Sequence, residues 1–216
     1  MFRVANPDVE RRGLFIGLEG IDGSGKAVQC RRLGKWLSAQ GLKVRVLTYP
    51  DLKSSYGKIL NAFLAGKVSI DAKTQFLTFS ADIMKDQESI RKSLEDGEIV
   101  ITDRYFPSTV AYQCAKGVSL EGALLQIELL SPVKPDLIIW LDVPPAVGIR
   151  RRRQKRGKRK KDVHDTDESL LLKVRANYSR LYANRWLGGG WARIDGEKPI
   201  GEVAGEIREL ASQLLG

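Results

Sequence analysis

Seven residues restrict this chain more than any others: Gly20-Ile21-Asp22-Gly23-Ser24-Gly25-Lys26. They follow a short apolar run, Leu14 to Leu18, closed by Glu19, and precede a helical stretch from about Lys26 to Gln40 that stops at Gly41. Between a strand and a helix, glycines let consecutive backbone N–H groups turn inward around an anion. The positive end of the following helix points at the same spot, and a terminal lysine adds a mobile charge for outer phosphates. The spacing matches the phosphate-binding loop up to its last position. Gly20, Ile21, Asp22, Gly23, Ser24, Gly25, Lys26 and Ala27 are therefore expected to hold donor phosphates, with Lys26 facing solvent. At the eighth position, where a Ser or Thr hydroxyl normally contacts magnesium, the chain has Ala27. Water is expected to replace that ligand, because magnesium commonly keeps several waters.

The rest of the chain alternates in the same way. Val44 to Leu47, Ile99 to Ile101, Leu137 to Leu141 and Trp191 to Ile194 read as further strands, and helices are expected near 55–65, 72–95, 120–130, 145–156, 168–186 and 200–214. This order predicts an α/β chain of the three-layer P-loop NTPase type, a five-stranded parallel sheet flanked by helices. Residues 13–216 are expected to form one domain after an N-terminal extension, 1–12. With 43% hydrophobic and 29% charged residues, the chain has enough apolar material for a core and is not a disordered polymer. No apolar run approaches the length of a membrane span and the first twelve residues lack a signal-peptide core, so a cytoplasmic protein without membrane association is expected. Two cysteines, Cys30 and Cys114, make neither a disulfide framework nor a metal quartet, and the single His164 argues against histidine or zinc chemistry.

The net charge of +10 is concentrated in one segment. Arg150 to Lys161 holds ten basic residues and no acid, leaving the remainder balanced. Such a local cluster suits a compact polyanion better than a whole face of nucleic acid or membrane. A second constellation, Asp103-Arg104-Tyr105, closes the third strand, where open parallel sheets place their ligands. There Asp103 can hold magnesium and Arg104 can clamp a phosphate, although a buried ion pair capping a strand would use the same residues.

Residues Phe15 to Lys26 resemble the opening of thymidylate kinases. Asp103-Arg104-Tyr105 with Ser108, Ala111, Tyr112 and Gln113 is similar to that family's second signature. Lys134-Pro135-Asp136-Leu137, Leu141 to Pro145, the basic segment, Val174-Arg175 with Tyr178, and Ile194-Asp195-Gly196 follow in the family's order, over roughly residues 12 to 210. The resemblance implies transfer of the γ-phosphoryl of ATP to thymidine monophosphate (dTMP), with magnesium on the donor phosphates, in a homodimer. By that pattern Asp22 faces the acceptor's sugar, Phe79 stacks on its base, and Arg104 spans phosphate and base. Tyr112 excludes a ribose 2′ hydroxyl, Ser108 and Gln113 line the base pocket, and Tyr49 and Tyr105 belong to the same acceptor site. Lys26, Arg104 and a lid arginine are the implied catalytic groups. Because Gly23 replaces a loop arginine found in some members, the resemblance assigns that last role to the basic lid, about 150–165, with Arg153 aligned first and Arg152 next.

Two positions depart from the family pattern. Leu52 and Ile83 stand where arginines usually approach the acceptor, with Lys53 and Lys85 nearby as substitutes. With Ala27, these changes leave open a non-catalytic or altered-specificity nucleotide-binding homologue. The basic segment leaves open a nucleic-acid-binding P-loop protein, although no nucleic acid partner is expected.

Overall fold

The computed structural model describes residues 13–156 and 167–216. The extension at 1–12 and the lid residues 157–166 lie outside the described residues. Five strands, β1 (Phe15–Glu19), β2 (Val44–Thr48), β3 (Ile99–Asp103), β4 (Leu137–Asp142) and β5 (Trp191–Asp195), form one parallel sheet in the order β2-β3-β1-β4-β5. They alternate with α1 (Lys26–Ser38), α2 (Ser55–Leu64), α3 (Ala72–Met84), α4 (Gln87–Glu95), α5 (Phe106–Ala115), α6 (Leu120–Leu130), α7 (Pro145–Arg156), α8 (Glu168–Ala183) and α9 (Ile200–Leu215).

Side chains alternate across the strands and so feed two cores. Ile16, Leu18, Ile99, Ile101, Ile139 and Leu141 pack with Leu33 and Leu37 of α1 and Val203 and Ile207 of α9. On the other face Phe15, Val100 and Trp140 meet Phe76, Val110 and Tyr178. β1, β3 and β4 are buried throughout, as strands covered on both faces must be, whereas β2 and β5 are partly exposed edges. Cys30 lies in the first core and Cys114 packs against the second. No described helix is long and apolar enough to cross a membrane.

The expected sheet is present, with three local differences. Residues 72–95 form two helices, α3 and α4, separated at Lys85 and Asp86. α5 has no counterpart in the sequence reading because seven of its ten residues are buried and leave no polar stripe. β1, β3, β4 and β5 each run on to an acidic residue, since the ladder continues after the apolar run has ended. The order of the sheet reverses at β1: the chain moves to β2 and β3 on one side and to β4 and β5 on the other. That opens a crevice at the carboxyl ends of β1, β3 and β4.

Candidate active site

The glycine-rich loop fills this crevice between β1 and α1. Gly20, Gly23 and Gly25 all have positive φ. Gly23 lies against α7 so closely that a Cβ would come 2.3 Å from the carbonyl oxygen of Gly148, and a Cβ on Gly148 would come 2.5 Å from that of Asp22. Two facing glycines therefore seat the lid helix on the loop and leave no room for an arginine at Gly23. The amino end of α1 has no side-chain cap and no acid in its first turn, which favours an anion there. Ala27 is exposed in that turn.

Lys26 does not face solvent as expected. It is 5% exposed, and its Nζ donates to the carbonyls of Gly20 at 2.8 Å and Ile21 at 2.9 Å and to Ser24 Oγ at 3.3 Å. Carbonyls of a tight loop need a donor, and the lysine at its end is within reach. Burial and the neighbouring Arg104 push its pKa down to about 8, against the pull of Asp103, Asp22 and Glu19.

β3 pairs with β1 so that Asp103 lies opposite Leu18, beside the loop. Arg104 has φ 73°, an uncommon conformation for a non-glycine residue. The turn sends its guanidinium back to Asp22 Oδ1 at 2.5 Å, Ser108 Oγ at 3.0 Å and the Tyr112 ring, whose centroid is 5.0 Å away. Asp22 is also 3.0 Å from Arg152 Nη1. Burial alone would raise the Asp22 carboxyl, but Arg104 and Lys26 outweigh it and the pKa is lowered. Glu19, to which the sequence reading gave no site role, is fully buried beneath this layer. It accepts from Tyr105 N at 2.7 Å, from the Ser108 hydroxyl and from the Tyr178 hydroxyl at 3.0 Å. Burial raises its pKa despite those hydrogen bonds and the charges of Arg104 and Lys26.

A pocket of about 480 Å³ opens next to Asp22. Every residue expected at the acceptor lies on its wall: Asp22, Tyr49, Phe79, Arg104, Tyr105, Ser108, Tyr112 and Gln113. Phe79 is only half-buried, unlike Phe76 and Ile83, so it lines the pocket rather than completing the core. Of the two lid arginines, Arg152 is on the wall while Arg153 is exposed and off it. Thr109 and Lys116, also on the wall, escaped the sequence reading, and recognising α5 as a helix would have placed Thr109 on its first turn and Lys116 just past its last.

A sequence model of the family described as Thymidylate kinase matches residues 18–207. The chain belongs to the thymidylate kinase family. It is 39% identical over 178 residues to "Probable thymidylate kinase" of Pyrococcus abyssi, spanning 79% of this chain and 83% of that one. To "Thymidylate kinase" of Leptospira borgpetersenii it is 34% identical over 199 residues, spanning 91% and 92%. To the zebrafish (Danio rerio) protein of that name it is 29% identical over 206 residues, spanning 95% and 92%.

Against that family's pattern, the two positions lacking arginine present Leu52 and Ile83 to the pocket. Lys85 does not compensate. Its Nζ lies within 3.7 Å of Asp51, 3.2 Å of Asp82 and 2.7 Å of Asp86, and it is off the wall, as is the exposed Lys53. At the root of the lid, Arg151 Nη1 donates to Gly196 O at 2.7 Å, while Asp142 holds Arg175 and Arg193. The family's Asp142, Arg175 and Gly196 positions thus anchor the base of α7 and the adjoining turn after β5.

Proposed function

We infer that this thymidylate kinase family member transfers the γ-phosphoryl of ATP to dTMP, yielding the diphosphate. The observation that carries the reading is the convergence of Asp22, Phe79, Arg104, Tyr112 and Gln113 on one pocket that opens beside the phosphate-binding loop. The loop backbone and Lys26 take the donor phosphates, and a polyphosphate draws the Lys26 ammonium away from the carbonyls of Gly20 and Ile21. Arg104 and Arg152, both now on Asp22, provide the cationic edge for the acceptor and transferring phosphates. Asp22 holds both guanidiniums at the pocket wall, where their fixed positions suit an anion. Asp22 N donates to the Tyr112 hydroxyl at 3.1 Å, and by the family pattern this ring faces the sugar and crowds a ribose 2′ hydroxyl. Phe79 provides a stacking surface for the base.

Phosphoryl transfer needs positioning and charge neutralisation more than covalent chemistry. The residues fit a magnesium ion that travels with the nucleotide. Among the described residues no group of three or more His, Cys, Asp or Glu side chains forms a protein cage, and magnesium bound to phosphates needs only one or two carboxylates. Asp103, 8% exposed and close enough to Lys26 to raise its pKa, would hold it, and Ala27 would leave one ligand position to water. Bound there, magnesium would neutralise charge on the donor phosphates. Arg152 takes the catalytic role that alignment gave first to Arg153, because it is the one beside Asp22. The catalytic unit is a single domain over 13–216, in the cytoplasm, and its oligomer is a homodimer as the family resemblance implies.

The test is ADP release across a panel of nucleoside monophosphates. Fastest turnover is expected with dTMP; nucleotide binding without turnover of any acceptor would favour the non-catalytic reading suggested by Ala27, Leu52 and Ile83.

A further inference from the structure

Lys116 follows the last residue of α5, at the other end of that helix from Arg104, and its side chain reaches the pocket wall. Its Nζ donates to Gln75 Oε1 at 2.6 Å and lies 5.4 Å from the centroid of the Phe63 ring. Among the described residues it forms no ion pair, in contrast to Lys85 with its three carboxylates. One turn earlier on the same helix face, Gln113 is 2% exposed, and its side-chain oxygen has no hydrogen-bond partner among the described residues. An ammonium carries only donors, and Lys116 has two more than Gln75 uses. A buried amide oxygen without a donor calls for one.

We propose that Lys116 and Gln113 read the base edge of the acceptor and select 4-oxo pyrimidines over 4-amino pyrimidines. The proposal rests on the reading of this pocket as the nucleoside monophosphate site. Lys116 donates to the exocyclic ring carbonyl, and Gln113 accepts from the adjacent ring N–H. A 4-amino pyrimidine reverses both partners, setting an amino donor against the ammonium and a ring acceptor against the amide oxygen. Lys116 also brings a positive charge to a pocket in which Ile83, 2% exposed, fills a position where the family pattern has arginine. The pocket thus regains from α5 the cationic donor that α3 lacks. Gln75, buried on α3, fixes the ammonium; its Nε2 is itself tied to Ile70 O at 2.7 Å.

Steady-state kinetics of the full chain with the monophosphates of thymidine, deoxyuridine and deoxycytidine test this, for the wild type, Lys116→Met, Lys116→Arg and Gln75→Leu. The wild type should favour the two 4-oxo acceptors by roughly a hundredfold or more, as sites built to hydrogen-bond a substrate do. Lys116→Met should lose about 10- to 100-fold in kcat/KM for these acceptors and change by less than about threefold for deoxycytidine monophosphate, so that the preference collapses. Lys116→Arg should retain the preference. Gln75→Leu, which frees the ammonium without removing it, should raise KM for dTMP more than it lowers kcat. An unchanged preference in folded Lys116→Met would overturn the role of Lys116 while leaving the acceptor site standing. A wild type that favours deoxycytidine monophosphate or a purine monophosphate would refute the acceptor reading, and this proposal with it.

Discussion

Because Lys26 is buried, donor binding should depend on pH in a range where an ordinary lysine would not titrate. Its pKa of about 8, against the usual 10.5, corresponds to about 3 kcal/mol of disfavour for the charged form. At 5% exposure, solvent screens little of this. Above pH 8 the free enzyme loses the charge that meets the donor phosphates. kcat/KM for ATP should then fall about tenfold per unit and roughly a hundredfold by pH 10, whereas a lysine at 10.5 would cost less than about twofold there. Saturating ATP restores the charged form, so kcat should stay level further into the alkaline range. Phosphate groups complete their second ionisation near pH 6 and do not contribute. Arg104 and Tyr112 are both raised, so neither titrates in this window. ADP release measured from pH 7 to 10, with Lys26→Arg as a control that cannot titrate, decides the matter. A flat kcat/KM to pH 10, or the same alkaline limb in an active Lys26→Arg, would refute the reasoning.

Stability should move in the opposite direction over the same range. The unfolded chain holds the lysine proton up to 10.5 and the folded chain releases it near 8, so between those values the unfolded state binds more protons and stability rises with pH. Lys26→Met should abolish that rise. It also strips the carbonyls of Gly20 and Ile21 of their donor, at about 1 to 3 kcal/mol for each group left buried and unpaired, so the melting temperature at pH 7 should fall despite the lost desolvation.

Arg152→Ala should reduce kcat at saturating ATP by up to about 10³, the scale of a lost arginine finger, while Arg153→Ala leaves it within about threefold; the reverse pattern would restore the alignment-based choice. Gly148→Ala would favour a helix by propensity alone, yet the 2.5 Å approach to Asp22 O makes it destabilising by about 1 to 3 kcal/mol, read as a lower melting temperature. Ala27→Thr should tighten the apparent magnesium affinity of ATP turnover, and unchanged magnesium dependence would mean that Asp103 and water already satisfy the metal.

The sheet was legible because its strands are short apolar runs bounded by glycine, proline and acids. The helix on which recognition depends was not. α5 packs against α3, α6 and α8, and burial on so many sides erases the polar stripe by which an amphipathic helix is read. Much of the pocket's polar chemistry stands on that one helix: Ser108, Thr109, Tyr112, Gln113, and Lys116 just past its end. The signature residues were found by motif, but Thr109 and Lys116, outside the motif's fixed positions, needed the helix itself.

Charge misled for a related reason. A sequence shows how many cations lie near a site, not which of them are already neutralised. Lys85 lies two residues after Ile83 and looks like a substitute for the absent arginine, yet Asp51, Asp82 and Asp86 surround it, and Asp82 is 1% exposed. Asp51 and Asp82 also serve the turn after β2, where Asp82 accepts from Asp51 N and Ser54 Oγ at 2.8 Å each, so Lys85 is committed to holding that turn. Lys116 is 33 residues from Ile83 in sequence and, among the described residues, meets an amide and an aromatic ring but no carboxylate, which leaves donors for a ligand. Arg152 and Arg153 differ instead in direction: Arg152 is turned toward Asp22, and Arg153, one residue later and about 100° around the same helix, is exposed. For a polyanion site, function follows from which cations the fold leaves without a full complement of carboxylates, and that is settled by packing.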